Sequence, residues 1–334
     1  MTPKERFFAR LNGQEVDRIP NLCIVMGFGA DFAGESLRNF LLDYKVLCKA
    51  NIEIAKEFDL DILQAISDPY REAEGFGAVV EYPDYDQPHC KVKLLQNLDD
   101  VENLVVPKPL EHARMVDRIN AVKFMSENYG HEYPVMGWVE GAFAEAADLR
   151  GVSELMMDIF DKPDKVKILA EKCVESAILF ARAQVDAGAD IIGVGDAVVS
   201  LLGPDIYKDL VFDTHKAIFS AIKDMGVVGR LHICGDTSPI FDQLSNTGAD
   251  IIDVDWMSDF EKAAQAYAGK ASPCGNFDPV SVLLNGDEKS IKESIEHIVS
   301  VGGDKSFVMA GCEVPLHTPV SNFKTVSKAL IGLK

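Results

Sequence analysis

In the run LHICGDT, Leu231 to Thr237, a histidine and a cysteine stand two residues apart inside an apolar stretch. If the run is a strand, residues i and i+2 face the same side. His232 and Cys234 then present imidazole and thiol together, while Ile233 points into the opposite layer. That is ligand geometry for zinc, which accepts nitrogen and sulfur donors and, in catalytic sites, keeps three protein ligands and one open position. The strongest candidate for a third donor is Cys312 in MAGCEVP, and Cys274 in SPCGNFDP is its rival. Alone, a His-x-Cys pair is a weak signal, because buried free cysteines and satisfied core histidines are common. Thiol redox chemistry fits less well: the seven cysteines include no CxxC pair, and their odd number argues against a structural disulfide framework.

Carboxylates supply the second set of candidates: Glu140 in GWVEGAF, Asp196 in GVGDAVVS, and Asp253 with Asp255 in IIDVDW. Each could complete a metal shell, act as general acid or base, or anchor a substrate hydroxyl or amine. The plainer role for each is capping or accepting nearby backbone amides, and for Asp253 and Asp255 that role is hard to displace. Glu140, Asp196 and Asp255 are taken as the catalytic candidates and Asn276 in GNFDP as a cofactor contact. Glu140, Cys274 and solvent or substrate compete for the fourth metal position. Asp278, before Pro279, is expected to cap the following turn. Neither GxGxxG after a strand nor GxxxxGK[ST] occurs, so nucleotide cofactors are not expected.

These residues need elements to position them. Eight short apolar runs stop abruptly at polar or glycine residues: NLCIVMGFG, FDLDILQAISDP, HEYPVMGWVEG, AGADIIGVGDA, VGRLHICGD, GADIIDVDW, GKASPCGNFDP and KSFVMAGCEVP. Between them lie amphipathic stretches such as PDKVKILAEKCVESAILFARAQVDAG and PDIYKDLVFDTHKAIFSAIKDMG, each ending at a glycine suited to a helix C-cap. Strand and helix alternating eight times predict an α/β fold, a single (β/α)8 TIM barrel over residues 1–334, in preference to an open doubly wound sheet. In such a barrel every strand end opens on one mouth, so Ser67, Asp68, Glu140, Asp196, His232, Cys234, Asp253, Asp255, Asn276, Asp278 and Cys312 would converge there. Residues 75–97, after the second strand, alternate like a β-hairpin with a Pro- and Asp-containing turn and would lie over one barrel end. The segment 106–129 reads as helical. Thr2, Pro3 and Glu5 form a capping box that predicts an N-terminal helix.

Composition narrows the partners. A net charge of -20 argues against nucleic acid or an anionic membrane, both of which need clustered Lys and Arg. No apolar run approaches the roughly 20 residues of a membrane span, and the N-terminus lacks the apolar core of a signal peptide, so the expected location is the cytoplasm.

PKERFFARLNGQEVDRIP, SDPYREAEGFGA, LHICGDT, GNFDP and AGCEVPLHTPVSNF together resemble the uroporphyrinogen decarboxylase superfamily, and specifically its corrinoid-dependent methyltransferase branch. The resemblance runs nearly end to end, and its specific part is the HxC motif with a late GC. It implies one zinc ion held by His232, Cys234 and Cys312, and methyl transfer between a corrinoid and a small molecule such as a thiol, methoxylated aromatic or methylamine. Decarboxylases of the superfamily carry an Arg-rich RQAGR-type segment for porphyrinogen carboxylates; here the region reads IVMGFGADFAGES, with no arginine before Arg38. A metal-free uroporphyrinogen decarboxylase is therefore the alternative, and a non-catalytic barrel with a closed zinc or ligand site is another. No DxHxxG corrinoid-binding loop occurs, since DTHKAI at Asp213 fails at the glycine. Cobalamin would thus arrive on a separate corrinoid protein, and a homodimer is the assembly to test.

Overall fold

A computed structural model describes residues 1–333. The chain opens with the helix Pro3–Leu11, where the Thr2 side chain accepts the Glu5 N–H and Glu5 accepts the Thr2 N–H. Seven parallel strands follow: β1 (Leu63–Gln64), β2 (Val135–Glu140), β3 (Ile191–Gly195), β4 (Val228–His232), β5 (Ile251–Asp253), β6 (Ser272–Phe277) and β7 (Phe307–Ala310). They pair in chain order, β1 to β7. Crossover helices such as Ala142–Arg150, Pro163–Asp186 and Phe212–Asp224 connect them, as parallel pairing requires.

Where an eighth strand was expected there is an irregular segment. Asn21 bridges Val308 of β7, and Leu22 N–H donates to the Val308 carbonyl at 2.9 Å. On its other side Asp61 N–H, just before β1, donates to the Asn21 carbonyl at 3.0 Å. The segment thus joins the two edges of a TIM-barrel-like sheet without becoming a regular strand. Pro20 has no N–H to offer a ladder, and side chains make the bonds instead: Gln64 Nε2 donates to the Cys23 carbonyl at 2.7 Å and Asn21 Oδ1 accepts the Cys23 N–H at 3.2 Å.

Two further expectations change. Residues 75–97 form no strand hairpin; a single antiparallel bridge joins Glu81 and His89. Pro83 and Pro88 within the loop lack the donors a longer ladder needs. In 106–129 the helix starts only at Ala113 and runs to Tyr129, preceded by a short turn at Pro109–Glu111. Among the described residues, no helix is long and apolar enough to cross a membrane.

Below the mouth the interior is filled by a polar layer. Fully buried Arg230 donates through Nε to Asp253 Oδ1 at 2.9 Å and through Nη2 to the Leu22 carbonyl at 3.2 Å. A charge there is tolerable because it is paired and its donors are used.

Candidate metal centre and its cavity

His232 is the last residue of β4, Cys234 follows two residues on, and Cys312 lies two residues past the end of β7. His232 Nε2 is 3.2 Å from Cys234 Sγ and 3.8 Å from Cys312 Sγ, and the two sulfurs are 3.3 Å apart. Zinc bonds of about 2.0–2.3 Å in tetrahedral array put donors roughly 3.5–3.8 Å apart, so the three side chains need little adjustment to share one ion. Among the described residues no fourth His, Cys, Asp or Glu joins the group. Cys274 is absent from it: it sits in β6 in register with Asp253, fully buried in the layer beneath.

The electrostatics favour anionic sulfur. The Cys234 hydrogen bond, ahead of the one from His232 and against the cost of burial, holds the Cys312 thiol down at about 4, while the same sulfur contact raises Cys234. His232 is held well above its ordinary value; burial opposes this, but Cys234 and Asp253 outweigh it. Asp253 Oδ2 accepts from His232 Nδ1 at 2.9 Å while Arg230 grips the same carboxylate. With Nδ1 committed, Nε2 is the nitrogen turned to the sulfurs, the outer-shell arrangement typical of metal-bound histidine. The orienting carboxylate is therefore Asp253 and not Asp255, the one of the two aspartates of IIDVDW expected to act in catalysis.

The sulfurs open on a cavity of about 170 Å³ lined by Ile24, Met26, Ile66, Trp138, Glu140 and Glu313 among others. That is below the ~300–1,000 Å³ of drug-sized ligand sites, and suits a molecule of few heavy atoms. Trp138 lies flat along β3 because Gly193 and Gly195 carry no side chain: a Cβ at either would come within 2.2 and 2.8 Å of the indole. Its Nε1 donates to Glu140 Oε1 at 3.2 Å, and Arg71 Nη2 donates to the same oxygen at 2.6 Å. Burial, with Arg71 opposing and Glu72 adding, pushes the Glu140 carboxyl up to about 8. Glu140 therefore stands on the cavity wall, outside the sulfur group and tied to Arg71.

The other candidates divide. Asp196 is fully buried and faces away from the cavity: its oxygens accept the Ala144 N–H at 2.7 Å and the Phe143 N–H at 3.4 Å, and His215 Nε2 lies 3.1 Å from Oδ2. It caps the helix Ala142–Arg150 and anchors His215, whose Nδ1 meets Tyr207 at 3.0 Å. Asp255 accepts the Gly235 N–H, next to Cys234, and leaves its other oxygen buried without a hydrogen-bond partner. It braces the Cys234 loop. Asn276 is occupied by the carbonyls of Asp255 and Ser258 at 3.2 and 2.9 Å and borders a different surface pocket. Asp278 caps the turn after it, accepting the Val280 and Ser281 N–H groups. Sequence reasoning missed Trp138, Arg71 and Glu313. Glu313 neighbours a candidate ligand, and that adjacency was the one available signal; its Oε1 accepts the Gly27 N–H at 2.7 Å.

Comparison with known proteins follows the same lines. The chain matches the uroporphyrinogen decarboxylase (URO-D) family over residues 2–331. The methylcobamide:CoM methyltransferase MtbA of Methanosarcina mazei is 31% identical over 333 residues, covering 97% of this chain and 96% of the relative. A uroporphyrinogen decarboxylase of Pseudoalteromonas atlantica is 24% identical over 269 residues, 78% of this chain and 74% of its own length. In fold, a methyltransferase from Methanosarcina mazei superposes with a TM-score of 0.90 at 24% identity, covering 98% of each chain.

Proposed function

The chain belongs to the uroporphyrinogen decarboxylase family, and from that premise we propose that it is a zinc-dependent methyltransferase moving a methyl group between a corrinoid on a separate protein and a small molecule. The observation that carries this reading is the group His232, Cys234 and Cys312: three donors at metal-ligand spacing, without a fourth among the described residues, facing a small cavity. Three ligands and an open side are the pattern of a catalytic rather than a structural zinc, which counts against a non-catalytic closed site. Zinc held there would keep a bound thiol deprotonated at neutral pH or polarise a methyl donor.

The chain's own residues do the rest. Cys234 and Cys312 bring electron-rich sulfur, and the Asp253 carboxylate holds the His232 ring in one orientation. Trp138, Ile24 and Ile66 line the chamber with apolar surface that excludes water from the reacting atoms. Glu140, poised near neutrality, can hold or release a proton at the wall. Residues 1–334 are read as one barrel domain whose irregular segment at 21–25 serves as the eighth stave. The loop at Tyr85–Gln87, which borders a second cavity sharing Glu313 with the first, is a place for a corrinoid protein to dock.

A porphyrinogen decarboxylase reading is weaker, because a polycarboxylate needs cations and, among the described residues, the wall offers neither Lys nor Arg. The deciding experiment follows the methyl-cobalt absorbance of methylcobalamin, and that of reduced corrinoid, while thiols, folates, methoxylated aromatics and methylamines are offered in turn. One class should change the spectrum, with about one zinc per chain. Cys312→Ser should lose both zinc and transfer; an active Cys312→Ser protein, or an active protein without zinc, would sink the proposal.

A further inference from the structure

Two strand positions leave the chamber wall bare, and one side chain covers both. β2 pairs with β3 so that Trp138 stands opposite Gly193 and Glu140 opposite Gly195, and β3 adds no side chain to the wall at either level. The indole of Trp138 lies across the gap: a Cβ at Gly193 would come within 2.2 Å of the ring, and one at Gly195 within 2.8 Å. Ring and backbone are both fixed. The indole N–H donates to Glu140 Oε1 at 3.2 Å, and Arg71 holds that oxygen at 2.6 Å. The buried Gln184 side chain accepts the Trp138 backbone N–H at 2.9 Å and donates to the Trp138 carbonyl at 3.0 Å. Ile24, Met26 and Ile66 also line the chamber, but they carry no side-chain donor by which they could be anchored.

We propose that Trp138 sets the size of the small molecule handled at this site, admitting a short aliphatic chain and excluding long thiols, methoxylated aromatics and folates. The inference rests on the methyl-transfer reading and specifies the substrate of that same site. The chamber measures about 170 Å³, and at roughly 30 Å³ for each water-sized unit it holds about six non-hydrogen atoms. Displacement at a methyl carbon is in line, so the methyl group and cobalt occupy one side of the reacting sulfur. The rest of the molecule is left the chamber. In that step the sulfur electron pair forms the new S–C bond, and the methyl-cobalt bond breaks with its electron pair left on cobalt. The thiol proton leaves to solvent, giving S-methyl product, Co(I) and one proton. A ring tied at both ends cannot repack around a longer tail as a free methionine would. One methylene too many in such a pocket is worth about 10–200-fold in discrimination.

Neutral thiols that differ in size test this: mercaptopropanol, mercaptobutanol and mercaptohexanol, each with thiol and hydroxyl at opposite ends, and benzyl mercaptan as the aromatic. Their dissociation constants are measured by calorimetry on the zinc-loaded full chain, with methylcobalamin demethylation followed in parallel. The wild-type chain should bind mercaptohexanol and benzyl mercaptan at least about tenfold more weakly than mercaptobutanol. In Trp138→Phe and Trp138→Ala that ratio should fall several-fold with zinc content unchanged, and because each protein is compared with itself, a general loss of activity cancels. Gly195→Ala, whose Cβ would crowd the indole into the chamber, should move the loss of binding down to mercaptobutanol. Equal binding of all four thiols by the wild-type chain, or a ratio unchanged in both Trp138 variants, overturns the inference and leaves methyl transfer standing. A size limit in binding without demethylation by any thiol overturns the thiol-transfer reading and leaves Trp138 as the gauge of the site. Absence of binding with every thiol overturns both.

Discussion

At the scale of single residues, the side chain whose role changed most is Asp253. It makes no contact with the cavity, yet it holds His232 Nδ1 at 2.9 Å and is itself held by Arg230. A hydrogen-bonded outer-shell carboxylate of this kind typically contributes 10–100-fold in metal affinity. Asp253→Asn should therefore weaken zinc binding by about that factor, read by competition with a chelator of known affinity, while Cys234 and Cys312 remain in place. Unchanged affinity would show that His232 orients itself without help. The pair His232 and Cys234 was legible because strand alternation by itself puts i and i+2 on one side. Asp253 was not, because in IIDVDW both aspartates satisfy the same alternation, and only the packing of β4 against β5 decides which one meets the imidazole.

Elements explain why Asp196 leaves the chemistry. β3 ends at Gly195 and the chain turns at once, so the next side chain points at the start of the helix Ala142–Arg150, whose N-cap is a glycine with no side chain of its own. A Cβ at Gly141 would come within 2.4 Å of Asp196 Oδ2, so Gly141 leaves the room and Asp196 supplies the cap from outside. Loss of a buried cap and of the His215 contact predicts that Asp196→Ala costs about 2–4 kcal/mol of stability. Denaturant unfolding would show it, with zinc content unaltered; loss of zinc at unchanged stability would return Asp196 to the site. The strand and helix order was readable from apolar runs and glycine stops, since both are properties of ten-residue windows. The missing eighth ladder and the missing hairpin were not, because Pro20, Pro83 and Pro88 remove donors at the very places where pairing across the chain would have needed them.

The whole molecule stores its acidity next to the site. Burial pushes Glu140 and Asp148 up to about 8 and Glu145 well above its ordinary value. The folded chain thus holds protons that the unfolded chain releases near its ordinary carboxylate values. This contribution to stability is complete below about pH 4, and is lost as pH rises through about 8. Carboxylates lowered by arginines, such as Asp68, act in the opposite sense but only in the acid range. Melting temperature measured with zinc in excess should fall by ~3–6 °C between pH 5.5 and 8.5, and Glu145→Gln should flatten that fall; an equal slope in the variant would refute it. What the sequence by itself determined was local: the alternation of elements, the shared side of His232 and Cys234, the acidic balance, and the family pattern. Only the tertiary structure decided which carboxylates face the cavity, that Arg71 and Glu140, 69 residues apart, meet at 2.6 Å, and that among the described residues the wall carries neither Lys nor Arg. Periodicity records which side of its own element a residue occupies. The charge a substrate meets depends on distances between elements remote in the chain, and no local pattern carries those.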